Sequence, residues 1–181
     1  MGGWGSTTWQ GLVPKAENQN SAISISTPVA AKEGGAVWGV ALGYEFLPAF
    51  AVEADYMAFP KATITFDEYS IYAFEQNSLI LYSNAHTVSL SVRVMVMIPK
   101  TDIRFYSSGG IAEVIREDQI NNASRVSPTF AFGFNKMLTD RIMVEIGTNY
   151  TAGYGESEIN PVNDFVPFLY SVFGKIALRF G

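Results

Sequence analysis

Glu45, Glu53, Asp55, Arg93, Asn135, Glu145 and Lys175 all fall on the side of an alternating sequence opposite its main run of bulky apolar residues. Acids and bases at a period of two, on separate strands able to face one another, support two kinds of chemistry. They can pair and close a space too narrow for water, or they can line a path and select small ions. The first reading makes the set a seal of inward ion pairs. The second makes it the gate of a small low-conductance channel. Nucleophilic catalysis is poorly served. His86 is the single histidine, so a serine-histidine-acid triad must use it, and the residue two positions on is Val88 rather than a serine. With no cysteine and no second histidine, metal binding at His86 has no partners. No enzyme activity, metal or cofactor is expected.

The elements that carry these residues are strands. Over 36–47, Trp38, Val40, Leu42, Tyr44 and Phe46 alternate with Val37, Gly39, Ala41, Gly43 and Glu45. After Pro48 and Ala49 the pattern restarts over 50–59, with Phe50, Val52, Ala54 and Tyr56 opposite Ala51, Glu53 and Asp55. The bulky face is apolar, and the other face is small or acidic. A soluble sandwich or barrel shows the reverse. The inversion predicts a barrel whose outer solvent is lipid.

Further strands follow the same rule. Segment 86–98 places Val88, Leu90, Val92, Val94, Val96 and Ile98 on one face, with Thr87, Ser89, Ser91 and Arg93 on the other. Segments 126–136, 142–150 and 168–180 put Phe130, Phe132, Phe134, Ile142, Val144, Ile146, Tyr170, Val172 and Ile176 outward. They put Asn135, Glu145 and Lys175 inward. Segment 103–114 is a strand whose faces are blurred by Ser107, Ser108, Gly109 and Gly110, and 4–12 is a first strand of unassigned face. The connections 13–35, 61–85, 115–125 and 151–167 are long and polar, whereas those near Pro48, Pro99 and Leu138 are short. This predicts one domain over 1–181: an all-β, eight-stranded antiparallel up-and-down transmembrane β-barrel, with long loops outside the cell and tight turns in the periplasm.

Composition agrees. Only 16% of the 181 residues are charged, against about 25% in ordinary soluble proteins, while 48% are apolar. No apolar run approaches the roughly 18 residues of a spanning helix. A net charge of −5 without a basic stripe argues against nucleic acid. The amino terminus, MGGWGSTTWQG, lacks the basic and apolar regions of a signal peptide, so the chain is taken as a mature form whose export signal has been removed. The bulky aromatics Trp38, Phe46, Phe50, Tyr56, Phe130, Tyr150, Tyr170 and Phe180 fit an interfacial girdle better than a ligand cage. Around 67–77 the third and fourth strands should continue as a protruding hairpin. Its acidic, aromatic tip of Phe66, Asp67, Glu68, Tyr69, Tyr72 and Phe74 is the candidate surface for an extracellular or host protein.

From about Gly35 onward the chain resembles the small outer-membrane barrels of the OmpA and OmpX type. The likeness is carried by VEADY at 52–56, LSVRVMV at 90–96 and, above all, SPTFAFGFNKMLTDRIMVEIGTNYTAGYG at 127–155. It implies a bacterial outer-membrane location among phospholipid and lipopolysaccharide. It also implies a lumen sealed by ion pairs between facing strands, with Glu53 and Arg93 at such positions. Two positions depart from the family pattern: Glu145 stands where a base is usual, and Asn135 where an acid is usual. Lys175 on the last strand is therefore the expected partner of Glu145. The chain ends in Phe180-Gly181 rather than on the aromatic residue itself. The functional expectation is a structural or adhesin-like surface role, with a small channel or a soluble lipocalin-like binder as alternatives.

Overall fold

The computed structural model describes residues 1–14, 27–71, 78–119, 122–154 and 165–179. Among these, ten strands form one sheet: β1 (Gly2–Thr7), β2 (Ala30–Lys32), β3 (Gly35–Leu47), β4 (Phe50–Ala58), β5 (Ala62–Thr65), β6 (Ile80–Met97), β7 (Ile103–Asp118), β8 (Asn122–Met137), β9 (Ile142–Thr151) and β10 (Leu169–Leu178). Eight of them close a ring in the order β1-β3-β4-β6-β7-β8-β9-β10, every pairing antiparallel. The remaining two, β2 and β5, extend the upper end of β6 into a short flap.

The wall is built inside out. Val40, Leu42, Val88, Leu90, Val92, Ile111, Phe130, Phe132, Ile146, Val172 and Ile176 are all exposed on the outer face. Ser89, Ser91, Arg93, Ser108, Thr129, Asn135, Glu145, Ser171 and Lys175 are buried within. Two tiers of rings bound the apolar band. The upper tier pairs Trp4 with Tyr170, Trp38 with Tyr56, Tyr56 with His86, and Tyr150 with Phe168. The lower tier pairs Phe46 with Phe50 and Phe105 with Phe134. On β6 the interval from His86 to Val94, the latter paired to Phe50, is 26 Å along the strand at ~3.3 Å per residue and about 20 Å upright at a ~40° tilt, close to the ~25 Å apolar band of outer-membrane barrels.

Four sequence expectations need correction. The first strand is Gly2–Thr7 rather than 4–12, because the chain leaves the wall at Thr8 and folds Trp9–Leu12 into the barrel mouth as a 3-10 turn. The third strand does not run on into the protruding hairpin. It stops at Ala58, Pro60 supplies no amide for the ladder, and β5 restarts beside β6. Much of the polar segment 115–125 is strand, since β7 and β8 run on to Asp118 and from Asn122. The last strand covers Leu169–Leu178, and Phe180 lies outside the described residues.

Candidate functional site: the lumen and its mouth

At mid-barrel the structure gathers four charged side chains into a cross-brace. Glu145 on β9 and Lys175 on β10 are register partners, and Lys175 Nζ lies 3.1 Å from Glu145 Oε1. Arg93, on β6, reaches across the lumen to Glu145 with Nη1 at 2.5 Å from Oε2. Its Nη2 donates to Glu53 Oε1, on β4, at 2.6 Å. Lys175 closes the circuit by donating to Glu53 Oε2 at 2.7 Å. Two acids and two bases thus tie together β4, β6, β9 and β10, with net charge zero in the middle of the cylinder. Buried charges in this setting persist only when each is paired.

The floor of the brace is aromatic. The Tyr106 ring lies 3.9 Å from the Arg93 guanidinium carbon. Room for it comes from Gly133 and Gly147, register partners on β8 and β9. A Cβ at Gly133 would stand 2.8 Å from the Tyr106 hydroxyl, and one at Gly147 closer still, so both positions exclude side chains. Toward the short turns, a second group joins Glu45, Asn135 and Arg104. Arg104 Nη2 lies 3.1 Å from Glu45, and its Nε donates to Asn135 Oδ1 at 2.8 Å. Arg179 approaches Glu45 at 3.9 Å.

Asp55 stands apart. It accepts from Ser89 Oγ and has no base at ion-pair distance among the described residues. It lines a small cavity above the brace together with Ser89, Ser91, Thr129 and Asn149. The seven sequence-predicted residues therefore divide into a quartet, a lower pair and a solitary acid. Sequence reasoning missed Arg104 and Tyr106, both on β7, the strand whose register Ser107 to Gly110 obscured. His86 points outward beside Tyr56, on the face opposite Ser89 and Ser91.

Above the brace the mouth is closed by an apolar cluster: Trp9, Leu12, Ala62, Ile64, Phe66, Leu81 and Phe165. Arg116, fully buried, stacks on Trp9 at 4.7 Å, donates to the Phe165 carbonyl at 2.6 Å and pairs with Asp118. Glu33 clamps the 3-10 turn from outside, accepting from Trp9 N–H at 2.5 Å and Thr7 Oγ1 at 3.3 Å. Burial holds the Glu33 carboxyl above its ordinary pKa, against the lowering effect of those hydrogen bonds.

This overturns one part of the surface expectation. Phe66 is a member of the mouth cluster, because β5 turns Ala62, Ile64 and Phe66 toward Trp9 and Leu81. Asp67 is half-buried, while Glu68 and Tyr69 are exposed and joined by Ile71. Tyr72 and Phe74 lie outside the described residues.

An inside-out cylinder with paired charges within, two aromatic tiers and alternating long and short connections defines a lipid-facing β-barrel. The OmpA-like transmembrane domain family matches residues 9–181, and the chain belongs to that family. It is an integral protein of the bacterial outer membrane. Its fold is similar to the crystal structure of Neisserial surface protein A, with a TM-score of 0.57 at 8% identity over 99% of this chain and 94% of that one. It is also similar to the outer membrane protein OprG from Pseudomonas aeruginosa, with a TM-score of 0.58 at 12% identity and the same coverage. No curated protein matches the sequence.

Proposed function

We propose that this barrel is a non-enzymatic scaffold whose activity lies at its cell-surface end, where it contacts a protein outside the cell. The observation that carries this reading is the double closure of the lumen. A neutral ionic brace spans mid-barrel and an apolar cluster fills the mouth. A conducting pore needs a continuous polar path, and the mouth cluster interrupts it with Trp9, Ile64, Phe66 and Leu81. The flap above the mouth presents Glu68, Tyr69 and Ile71 to solvent, the combination of exposed aromatic and aliphatic groups beside acids that suits a protein contact. One structural neighbour is itself named as a surface protein. Outer-leaflet lipopolysaccharide is the surrounding lipid expected at the upper aromatic tier.

The test replaces residues 67–77 by a short glycine-serine link. The variant should keep its heat-modifiable gel shift and lose binding to host or neighbouring cells; unchanged cell binding would sink the adhesin reading. Planar bilayers supply the opposing arm, since discrete conductance from the intact protein that changes on Arg93→Ala would establish the channel instead.

A further inference from the structure

The lumen holds one carboxylate more than its ion pairs account for. Arg93 and Lys175 are shared between Glu53 and Glu145, Arg104 and Arg179 face Glu45, and Arg116 faces Asp118. Asp55 is left over. It is half-buried, it accepts a hydrogen bond from Ser89 Oγ, and no base stands at ion-pair distance from it among the described residues. The Met1 nitrogen, which also borders this part of the lumen, is turned to the Gly39 carbonyl at 2.8 Å. A carboxylate withdrawn from water without a partner is costly, so the site must draw in a counter-ion or a proton.

The cavity beside Asp55 decides what kind of counter-ion fits. Its volume is about 20 Å³, room for one water-sized particle. Ser89, Ser91, Ser108, Thr129 and Asn149 bring oxygen to its wall. Most of the hydroxyl protons are already spent. Ser89 donates to Asp55, Ser108 to the Ala131 carbonyl at 3.5 Å and Thr129 to the Tyr150 carbonyl at 3.3 Å. Asn149 Oδ1 accepts from Thr151 Oγ1 at 3.3 Å, which fixes the oxygen side of that amide. Oxygens whose protons are turned to other acceptors present lone pairs, and lone pairs beside a carboxylate receive a cation. An anion would meet Asp55, and Arg93 at the cavity floor has both Nη atoms on carboxylates.

We infer that this cavity binds a single dehydrated monovalent cation, of the sodium or potassium kind, with the Asp55 carboxylate as its charged ligand and the serine, threonine and asparagine oxygens around it. Charge selects the valence. The quartet below is neutral, so Asp55 alone supplies one negative charge. Calcium sites gather more oxygen ligands and charge than one carboxylate gives, and magnesium keeps waters for which the cavity has no room. Oxygen donors also favour these hard ions over zinc or copper. The ion would do for the upper lumen what the quartet does below. Asp55 stands on β4, Ser89 and Ser91 on β6, Ser108 on β7, Thr129 on β8 and Asn149 on β9, so the site ties in β7 and β8, two strands that the quartet does not reach. It is independent of any contact made at the cell surface.

Refolding into detergent micelles at constant ionic strength, with sodium, potassium or N-methylglucamine chloride, tests the site. In sodium or potassium the urea-unfolding equilibrium constant should fall ~tenfold for each tenfold rise in free cation above its dissociation constant, the linkage of one bound ion. N-methylglucamine, too large for the cavity, should not reproduce the effect. Asp55→Asn removes the charge and the ion together. It should fold with nearly the wild-type midpoint in the salt that binds, and its midpoint should no longer depend on which cation is present. Carbon-13 labelling of aspartate gives a second readout that needs no variant: at pH 7 in that salt the Asp55 carboxyl resonance should stand at the ionised position. Four results would each overturn the inference: stability indifferent to the cation, a dependence that survives in Asp55→Asn, a response confined to magnesium or calcium, or a protonated Asp55 carboxyl.

Discussion

Along β6 a single strand passes through two environments, and its apolar face changes sides between them. Below His86 the outward residues are Val88, Leu90, Val92 and Val94, and the inward ones Thr87, Ser89, Ser91 and Arg93. Above it the inward residues are Leu81, Ser83 and Ala85, all buried, and the outward ones are Tyr82 and Asn84. The lower stretch follows the rule of a barrel in lipid, the upper stretch the rule of a soluble sheet. His86, packed on Tyr56, marks the crossover. The same inversion is seen from β4 to β5, where outward Val52 and Ala54 give way to inward Ala62 and Ile64. One fold therefore holds two cores of opposite character, and each should fail in its own way.

The largest expected effect is in the ionic core. Glu145→Ala removes the carboxylate shared by Arg93 and Lys175, leaving Glu53 to face two buried cations. Breaking a buried pair from one side costs about 3–5 kcal/mol. Urea unfolding in micelles should show that loss for the whole barrel, whereas Asp55→Asn, at the acid outside the quartet, should leave the midpoint nearly unchanged. Equal losses for the two variants would mean that the quartet does not brace the barrel.

In the mouth the loss should be local. Ile64→Ala deletes a fully buried side chain from the cluster and should cost about 2–5 kcal/mol. Because β5 contributes nothing to the closed ring, the cost should appear as faster amide exchange in β2 and β5, with the heat-modifiable shift intact. Global unfolding at a lower urea concentration would show the two cores to be one cooperative unit.

The crossover itself can be located by a charge scan along β6. Leu90→Arg places a cation on the lipid face near mid-membrane and should cost about 2–4 kcal/mol, whereas Tyr82→Arg, above the boundary, should cost ~0–1. A flat profile would remove the membrane assignment of His86.

Period-two alternation made the wall legible, because lipid outside and ion pairs inside impose opposite demands on adjacent residues. Glu53, Arg93, Glu145 and Lys175 stood out because a charge amid serines and valines on a spanning strand has nowhere else to go. Arg104 and Tyr106 did not, since Ser107 to Gly110 give β7 no contrast between its faces. Phe66 reads as a surface residue for a related reason. Ala62, Ile64 and Phe66 alternate as cleanly as any wall segment, but alternation does not say which side the apolar face takes, and above the lipid it turns inward. Gly5, Thr7, Trp9 and Gly11 continue the period and extend the apparent strand through Trp9; only the three-dimensional clamp by Glu33 reveals the turn.

Glu33 offers the smallest effect and the most selective one. Its carboxyl sits outside the lipid, and burial raises its pKa in the folded chain above the unfolded value of about 4.3. The folded state thus binds the proton more tightly than the unfolded state, and stability falls as pH rises between the two values. The contribution is fully present below the ordinary glutamate range and is lost as pH passes through the raised folded value. Amide exchange at Trp9 and Gly11 should therefore report less frequent opening of the mouth at pH 4 than at pH 7, after correction for the intrinsic pH dependence of exchange. Exchange in the wall strands should show no such step. Glu33→Gln should flatten the profile at the mouth; a step that survives the substitution would assign the titration to another group and separate the clamp from the closure of the barrel.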